Sequence, residues 1–324
     1  MSLSQGQRCR WLVVGSGGML GRDLVAALES EGEEVFGRTH RELDLTDEEA
    51  VRAALHDCRP DVVVNCAAWT AVDNAEAHEN EALAVNGNGA AHLAAACAAG
   101  PVGPVRLVHM STDYVFAGDA SRPYAEHDAT GPRTAYGRTK LAGEQAVLRL
   151  LPRSGYVVRT AWLYGAHGPN FVSTMIRLER ERPTVDVVTD QRGQPTWTAD
   201  VAGQIIALVR SPGAASVPGA GAAPGIYHAT SSGEGTWFDL AREVFRLLGA
   251  DPARVQATTS SAYPRPAPRP GYSVLGHDGW ASAGIEPIGD WRLALRRALP
   301  GLLPPDDPRS CTPPVQVGLT RYVR

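Results

Sequence analysis

The chain has 324 residues, of which 44% are hydrophobic and 20% are charged, and its formal net charge at pH 7 is -4. This length predicts a large core and two lobes, while the negative charge and the lack of a basic run argue against a nucleic-acid surface. No apolar run reaches the length of about 18 residues that a membrane-spanning helix needs. Five scattered cysteines, without a CxxC pair or a signal peptide, predict reduced thiols and a cytoplasmic protein.

In the first half of the chain, short apolar segments alternate with helical ones. The predicted elements are strand Arg10–Gly15, helix Met19–Glu29, strand Glu34–Gly37, helix Asp47–Cys58 capped by Thr46, strand Asp61–Cys66, helix Glu79–Ala98, strand Val105–Met110, helix Tyr136–Leu150 and strand Gly155–Ala161. Continuous apolar strands such as DVVVNC are typical of a parallel sheet covered on both faces. The alternation predicts a Rossmann-type, doubly wound α/β domain over residues 9–165.

The pattern is looser in the second half. It predicts helix Phe171–Arg182, helix Asp200–Arg210, strand Ile226–Ala229, helix Phe238–Leu248 and helix Trp291–Leu299. We interpret residues 166–299 mainly as a smaller substrate-binding lobe, with some segments returning to the first domain. Ser211–Gly225 is predicted to be a mobile loop, and Pro300–Arg324 a loosely packed, proline-rich tail.

A glycine-rich turn joins the first strand to the first helix. The segment Gly15-Ser16-Gly17-Gly18-Met19-Leu20-Gly21 has the spacing G-x-x-G-x-x-G. Glycines at such a turn let the backbone approach a pyrophosphate, and the helix N-terminus then offers free N–H groups to the phosphates. Gly15, Gly17, Gly18, Met19, Leu20 and Gly21 are therefore predicted to bind a dinucleotide.

The end of the second strand distinguishes NAD from NADP. It has no carboxylate for a ribose 2'-hydroxyl, and Arg38 suits a 2'-phosphate, which favours NADPH with NADH possible. The alternative for Arg38 is an ordinary solvated arginine. Asp44 and Leu45 are candidates to flank the adenine, and Ala67 and Ala68, after the third strand, are small enough for the cofactor to pass.

Lys140 is the only lysine in the chain, and it follows Tyr136 by four residues, so that both side chains share one helix face. Thr112 lies at the carboxyl end of a strand, where doubly wound sheets bind ligands. Carbonyl reduction needs a proton donor at the oxygen and a second hydroxyl that steadies it. Tyr136, Lys140 and Thr112 are therefore predicted to be catalytic, with Lys140 and the helix N-terminus lowering the pKa of the phenol.

These residues, together with several ordered motifs, carry a family resemblance. The motifs are Gly15–Gly21, NCAAWTAVDNAE from Asn65, STDYVF from Ser111, YGRTKLAGE from Tyr136, RTAWLY from Arg159 and Asn170-Phe171. Over residues 10–299 the chain resembles the dTDP-4-dehydrorhamnose reductase family of the extended short-chain dehydrogenase/reductase superfamily.

The resemblance implies reduction of a 4-keto-6-deoxy sugar nucleotide at C4, giving dTDP-L-rhamnose in the parent reaction. Tyr136 would protonate the C4 oxygen, Thr112 would hydrogen-bond it, and Lys140 would anchor the nicotinamide ribose. Substrate contacts are implied at Thr70, Val72, Tyr114, Trp162 and Asn170. For the two aromatic residues among these, a plain core position is the alternative.

Other expectations concern metals and assembly. Some family members hold Mg²⁺ through a glutamate cluster between subunits, but the matching stretches here contain Arg22-Asp23 and Ala199-Asp200, so no metal is expected. A monomer or a homodimer is expected, with no nucleic-acid or membrane partner.

Three alternatives remain open. The first is the same chemistry on another dTDP-sugar, such as a branched or further deoxygenated one from an antibiotic pathway. The second is an epimerase or dehydratase that holds NAD tightly and returns the hydride. The third is a regulatory subunit that binds NADP without performing chemistry.

Overall fold

The structure is a computed structural model that describes residues 8–100, 103–211, 222–307 and 309. In chain order its strands and helices are β1 (Arg10–Val14), α1 (Met19–Ser30), β2 (Glu34–Arg38), α2 (Glu48–Cys58), β3 (Val62–Asn65), α3 (Val72–Ala75), α4 (Glu79–Leu83), a π-helical turn (Ala84–Asn88), α5 (Gly89–Ala98), β4 (Arg106–Thr112), α6 (Ala135–Leu150), β5 (Gly155–Thr160), β6 (Leu163–Tyr164), α7 (Phe171–Glu181), β7 (Val185–Val188), β8 (Arg192–Gly193), β9 (Thr196–Trp197), α8 (Thr198–Arg210), β10 (Gly225–His228), β11 (Gly235–Thr236), α9 (Trp237–Leu247), β12 (Val255–Thr258), α10 (Asp278–Ser282) and α11 (Trp291–Leu302).

A six-stranded sheet forms the centre, in the order β2-β1-β3-β4-β5-β10, and every neighbouring pair is parallel. All residues of β3 and β5 are buried, because helices cover both faces of the sheet. The prediction of a Rossmann-type doubly wound α/β fold is therefore confirmed.

The strand order reverses between β1 and β3. From β1 the chain passes to β2 on one side, and then returns to β3 on the other side of β1. The carboxyl ends of β1 and β3 lie side by side, with Val14 paired to Asn65. Such a reversal leaves a crevice beyond the strand ends, which is where open α/β sheets bind ligands.

An apolar core packs α1 and α8 against one face of the sheet. Its buried members include Trp11, Leu24, Val158 and Ile205. Helix α8 and strand β10 lie in the second half of the sequence. Nevertheless, β10 belongs to the central sheet, and α8 packs against it.

The remaining elements form a second lobe around a core of its own. Its strands pair as β6 with β9, β7 with β12, and β8 with β11. Helices α7, α9 and α11 supply buried residues to this core, among them Ile176, Phe245 and Trp291.

Two predicted helices differ from the sequence analysis in detail. Thr46 does not cap α2, because the carboxylate of Asp47 accepts the N–H groups of Glu49 and Ala50, both at 3.0 Å. An aspartate carboxylate one residue closer to the helix is the better acceptor for these amides. The predicted helix over 79–98 is present, but it contains the π-helical turn, which holds the buried Asn86.

The C-terminal predictions need similar revision. Helix α11 continues through Pro300 to Leu302, and the following residue, Leu303, is buried in the core of the second lobe, so the loosely packed tail does not begin at residue 300. Residues 308 and 310–324 lie outside the described part of the chain, as do residues 212–221 of the predicted mobile loop. None of the described helices is long and apolar enough to cross a bilayer.

The cysteines of the described ranges are free thiols, as expected: Cys9, Cys58, Cys66 and Cys97. Cys311 lies outside those ranges.

A buried ion pair joins α6 to the sheet. The guanidinium of Arg159, on β5, donates to both carboxylate oxygens of Glu144, on α6, at 2.8 and 2.7 Å. The two side chains are only 2% and 1% exposed. Ser111, on β4, donates to the same carboxylate at 2.5 Å. Glu144 follows Lys140 by one helical turn, so this pair fixes the depth of α6 against β4 and β5.

We expect Glu144→Gln to lower the free energy of unfolding by about 3–5 kcal/mol, because it leaves the guanidinium of Arg159 buried without a counter-charge. Urea denaturation would measure the change. Glu48→Gln is a suitable control, since Glu48 pairs with Arg52 where both side chains are more than half exposed, and its effect should stay below about 1 kcal/mol. Equal effects of the two substitutions would contradict this assignment.

Candidate active site

A single large cavity of about 1650 Å³ runs along the carboxyl edge of the sheet and into the second lobe. A pocket for one small ligand usually measures about 300–1,000 Å³. The cavity therefore has room for two ligands placed end to end. Its walls contain the glycine turn, the ends of β3, β4 and β5, the start of α6, and segments of the second lobe.

The glycine turn forms one end of the cavity, where Gly15, Gly17, Gly18, Met19 and Leu20 line the wall. Gly15 has φ +77°, and a side chain there would place its Cβ only 2.5 Å from the backbone nitrogen of Ala67. Gly21 does not line the cavity; its Cβ would lie 2.2 Å from the carbonyl oxygen of Gly15, so it is the glycine that lets α1 pack against the turn.

The N-terminus of α1 fits a phosphate group. Its N-cap residue is Gly18, no side chain caps it, and its first turn contains no acidic residue. The N–H groups of this turn therefore face the cavity at the positive end of the helix dipole. A pyrophosphate is the group that such an uncapped, glycine-lined helix start accommodates best.

The neighbouring wall contains Asp44, Leu45, Ala67 and Ala68, as predicted from the sequence. The carboxylate of Asp44 accepts the backbone N–H and the hydroxyl of Thr46, and these hydrogen bonds lower the pKa of Asp44.

Arg38 is not brought to the cavity wall. Its guanidinium donates to the carbonyl of Gly37 at 3.0 Å and to the sulfur of Cys58 at 3.6 Å, so it points towards the end of α2. The basic residues that line this end of the cavity are instead Arg22 and His40. Sequence spacing gave the strand end correctly, but it could not give the direction of a long, flexible side chain.

The structure brings Thr112, Tyr136 and Lys140 together on one wall of the cavity. Thr112 is the last residue of β4, and the other two lie in the first turns of α6. The hydroxyl of Thr134 caps α6 by accepting the N–H of Gly137 at 3.0 Å, and the carboxylate of Glu76 accepts the N–H of Ala135 at 2.9 Å. These two bonds fix the start of the helix and hence the position of the phenol.

Burial shifts the pKa values of Tyr136 and Lys140 in opposite directions. Burial raises the pKa of Tyr136 to about 12, against a smaller lowering by hydrogen bonding to the hydroxyl of Thr112. Burial lowers the pKa of Lys140 to about 8, opposed by the carboxylate of Glu144. The expectation that Lys140 lowers the pKa of the phenol is therefore wrong for this structure, because desolvation dominates at Tyr136.

Lys140 is only 2% exposed, and its ammonium donates to the carbonyl of Met110 at 2.6 Å. An ammonium has three donors, and this bond uses one of them. A guanidinium at the same position would be larger and planar, and it would direct its donors in a fixed fork rather than from one rotatable ammonium.

Asp113 is a buried carboxyl that the sequence analysis missed, although it directly follows the strand end that carries Thr112. It lines the cavity, is 2% exposed, and accepts the hydroxyl of Thr112 at 2.9 Å. Burial raises the pKa of Asp113 to about 6, although the hydroxyls of Ser273 and Thr112 lower it.

Four of the five predicted substrate residues line the cavity: Thr70, Val72, Tyr114 and Trp162. The ring of Tyr114 meets that of Tyr136 edge-on, with 5.6 Å between centroids. Asn170 does not line the cavity. Its side chain caps α7 by accepting the N–H of Ser173 at 2.9 Å, and its amide donates to the carbonyl of Gly165 at 2.9 Å, so its polar atoms are committed to the loop before α7.

Trp162 occupies an unusual conformation for a bulky residue, with φ +49°. Its ring stacks on Trp237, with centroids 3.6 Å apart and an angle of 9° between the planes. A side chain at Gly193 would reach within 2.6 Å of the ring of Trp162. Trp237 also lines the cavity. The sequence analysis did not identify this residue, because its position depends on the packing of the second lobe.

Within the described residues, no group of three or more His, Cys, Asp or Glu side chains could hold a metal ion. Asp23 and Asp200 lie in the two stretches where the sequence analysis looked for metal-binding glutamates, and both have other partners. Asp23 accepts a hydrogen bond from the hydroxyl of Thr198, and Asp200 forms an ion pair with Arg297.

Comparison with known proteins places these features in a family. The sequence model of the RmlD substrate binding domain matches residues 9–303. A dTDP-4-dehydrorhamnose reductase of Streptomyces griseus is 60% identical over 91% of this chain and 94% of its own length. A dTDP-4-keto-6-deoxy-D-glucose reductase of Streptomyces niveus is 56% identical over 90% of this chain and 96% of its own.

A solved structure is also similar to this chain. The crystal structure of dTDP-4-dehydrorhamnose reductase from Bacillus anthracis, in complex with NADP, has a TM-score of 0.83 and 33% sequence identity, and the match covers 90% of this chain and 99% of that one.

The raised pKa of Asp113 predicts a specific pH dependence of stability. Because the folded carboxyl titrates near pH 6, above its value in an unfolded chain, the folded state binds the additional proton between about pH 4 and pH 6, and stability falls as pH rises through this window. Relative to the wild type, the free energy of unfolding of Asp113→Asn should therefore increase by roughly 2–3 kcal/mol between pH 4 and pH 7. Urea denaturation at several pH values would measure it; a difference that stays constant with pH would contradict the raised value.

Proposed function

The chain belongs to the family of the RmlD substrate binding domain, and from this membership we propose that it reduces the C4 ketone of a dTDP-4-keto-6-deoxy-L-hexose with NADPH. It is an NAD(P)-dependent oxidoreductase of the dTDP-4-dehydrorhamnose reductase type, and it acts on dTDP-sugars as a ketoreductase. The proposal concerns the finer substrate, dTDP-4-dehydrorhamnose or a close analogue, and the roles of single residues.

The observation that carries the proposal is the position of Thr112, Tyr136 and Lys140 on one wall of a cavity that begins at an uncapped glycine turn. The glycine turn fits the pyrophosphate of a dinucleotide, and the remaining volume of the cavity accommodates a nucleotide sugar. Arg22 and His40, which line this end of the cavity, would face the adenosine phosphate in place of Arg38. When bound, NADPH supplies the hydride that reaches the carbonyl carbon.

Tyr136 holds the proton that the C4 oxygen needs. With its pKa raised to about 12, the phenol remains protonated at neutral pH, so the acid is always in the form that can donate. The developing oxyanion would lower the cost of this transfer by hydrogen bonding to the phenol and to the hydroxyl of Thr112. Because that hydroxyl now donates to Asp113, it must rotate about its C–O bond to donate to the sugar.

Lys140 holds the ribose of the cofactor in this proposal. Its ammonium is fixed by the carbonyl of Met110 and retains two further donors, and Lys140 lines the cavity. Its charge persists below its pKa of about 8, which covers neutral pH.

The second candidate is the same reduction on a different dTDP-sugar. The Streptomyces niveus relative carries the name of a dTDP-4-keto-6-deoxy-D-glucose reductase at nearly the same identity as the rhamnose-type relative. The two substrates differ in configuration around the sugar ring, and the second lobe supplies the contacts that would distinguish them.

Incubation of the protein with NADPH and each of these two dTDP-4-keto sugars tests the proposal. We expect stoichiometric NADPH oxidation with the L-sugar, and Tyr136→Phe should lower kcat by about 10²- to 10⁴-fold because the variant lacks the hydroxyl that this proposal assigns as the proton donor. NADPH binding, followed by its fluorescence, should be retained in the variant and serves as the control.

Turnover confined to the D-sugar would favour the second candidate. Turnover without net NADPH oxidation would indicate an epimerase, and binding without turnover a regulatory subunit.

We expect Lys140→Arg to lower kcat roughly 10²-fold with the fold retained, because the guanidinium cannot take the position of the ammonium. The wild-type kcat/KM should fall as pH rises through about 8, where Lys140 loses its proton. This decline should be absent from the variant, since arginine stays charged. Arg138→Lys is the matched control, because Arg138 lies on the same helix, is paired with Glu79 and is absent from the cavity wall. Near-normal activity of Lys140→Arg would remove the special role of this lysine.

A further inference from the structure

A proline-rich strap lines the second half of the cavity. We define the strap as residues 263–270, which contain four prolines in alternation with other residues. Most of its residues line the cavity wall. Alternating prolines keep a segment extended and stiff, so the strap presents its side chains with little loss of chain entropy.

Both ends of the strap are attached. Just before it, Ser260 donates its backbone N–H and its hydroxyl to the carboxylate of Asp190, at 2.9 to 3.0 Å. Towards its other end, Ala267 and Arg269 bind Asp73, which lies on α3 beside the central sheet, at 3.2 and 2.7 Å. The strap therefore connects the second lobe to the first across the cavity.

The two arginines of the strap have different surroundings. Arg269 is 22% exposed and uses its guanidinium to bind Asp73 and the carbonyl of Ala267. Arg265 is 60% exposed and approaches Asp73 only to 3.7 Å. It makes no hydrogen bond to any residue of the described ranges, so its donors are uncommitted on the cavity wall.

The strap lies close to the candidate catalytic residues. Tyr114, whose ring meets that of Tyr136, has its pKa raised mainly by burial and also by the nearby Asp73, while Arg269 lowers it. The Asp73–Arg269 pair is therefore close enough to Tyr114 to influence its charge. Arg265 lies further along the strap.

The fixed cations of the described cavity wall are few. Arg22 belongs to the glycine-turn end and Lys140 to the sheet, which leaves Arg265 and Arg269 for the half formed with the second lobe. Of these, only Arg265 is free to turn towards a ligand. Among the described residues of the cavity wall, a diphosphate in this half has no other uncommitted guanidinium or ammonium.

We propose that Arg265 binds the diphosphate of the nucleotide sugar and that Asp73 holds this arginine ready in the free protein. The inference rests on the proposed function. C1 and C4 are opposite corners of a pyranose ring, so a sugar with its C4 oxygen at Tyr136 directs its C1 diphosphate away from the phenol, along the strap. A guanidinium fork matches phosphate oxygens with two parallel hydrogen bonds, and the diphosphate carries more charge than the single carboxylate it replaces.

Isothermal titration of the full chain with dTDP, dTMP and thymidine tests this assignment. Arg265→Ala should weaken dTDP roughly 10- to 100-fold, as expected for lost charge-assisted hydrogen bonds, and should leave thymidine unchanged. Arg265→Lys should restore part of the affinity, because it keeps the charge but not the fork. Arg192→Ala is the matched control, since Arg192 pairs with Glu234 at a similar exposure but does not line the cavity.

The outcomes separate this inference from the proposed function. If wild-type protein reduces a dTDP-4-keto sugar but Arg265→Ala binds dTDP as tightly as the wild type, the diphosphate assignment is overturned while the proposed function stands. An equal loss of NADPH affinity in Arg265→Ala would also overturn it, because the arginine would then serve the cofactor. If the wild type reduces none of these sugars, it is the proposed function that fails.

Discussion

The buried pair between Glu144 and Arg159 is the interaction on which the geometry of the candidate active site depends. It ties α6, which carries Tyr136 and Lys140, to β5, and Ser111 extends the tie to β4, which ends at Thr112. The guanidinium is also satisfied by the carbonyl of Glu126 and packs over the ring of Phe116. A desolvated pair of this kind contributes little net stability, but either partner alone would be costly, so the helix has a single position against the sheet.

The same desolvation sets the proton chemistry of the site. Burial stabilises the neutral form of any ionisable group, which keeps the proton on Tyr136 and brings the pKa of Lys140 down to about 8. The ammonium remains charged at neutral pH because Glu144 lies one turn away, so the ion pair that positions the helix also supports the charge of Lys140. Position and protonation state therefore have a common physical origin.

The second lobe completes the cavity with groups that are distant in sequence. The stacked rings of Trp162 and Trp237 form one part of its wall, and the strap tied to Asp73 forms another. These contacts join the two lobes along the wall of the cavity. In the proposed function, the central sheet therefore carries the reacting groups, and the second lobe provides the surface that would recognise the sugar nucleotide.

The sequence by itself determined the features that arise from neighbours along the chain. Strand and helix alternation, the glycine turn, and a lysine one turn after a tyrosine all follow from spacings of a few residues, because backbone geometry fixes where such neighbours lie. Only the tertiary structure decided which polar atoms were already committed. Arg38 turns to Cys58, Asn170 caps its own helix, and Asp113 is buried against Thr112. The direction, burial and pKa of these side chains depend on groups that packing brings together from distant parts of the chain, and local spacing carries no information about them.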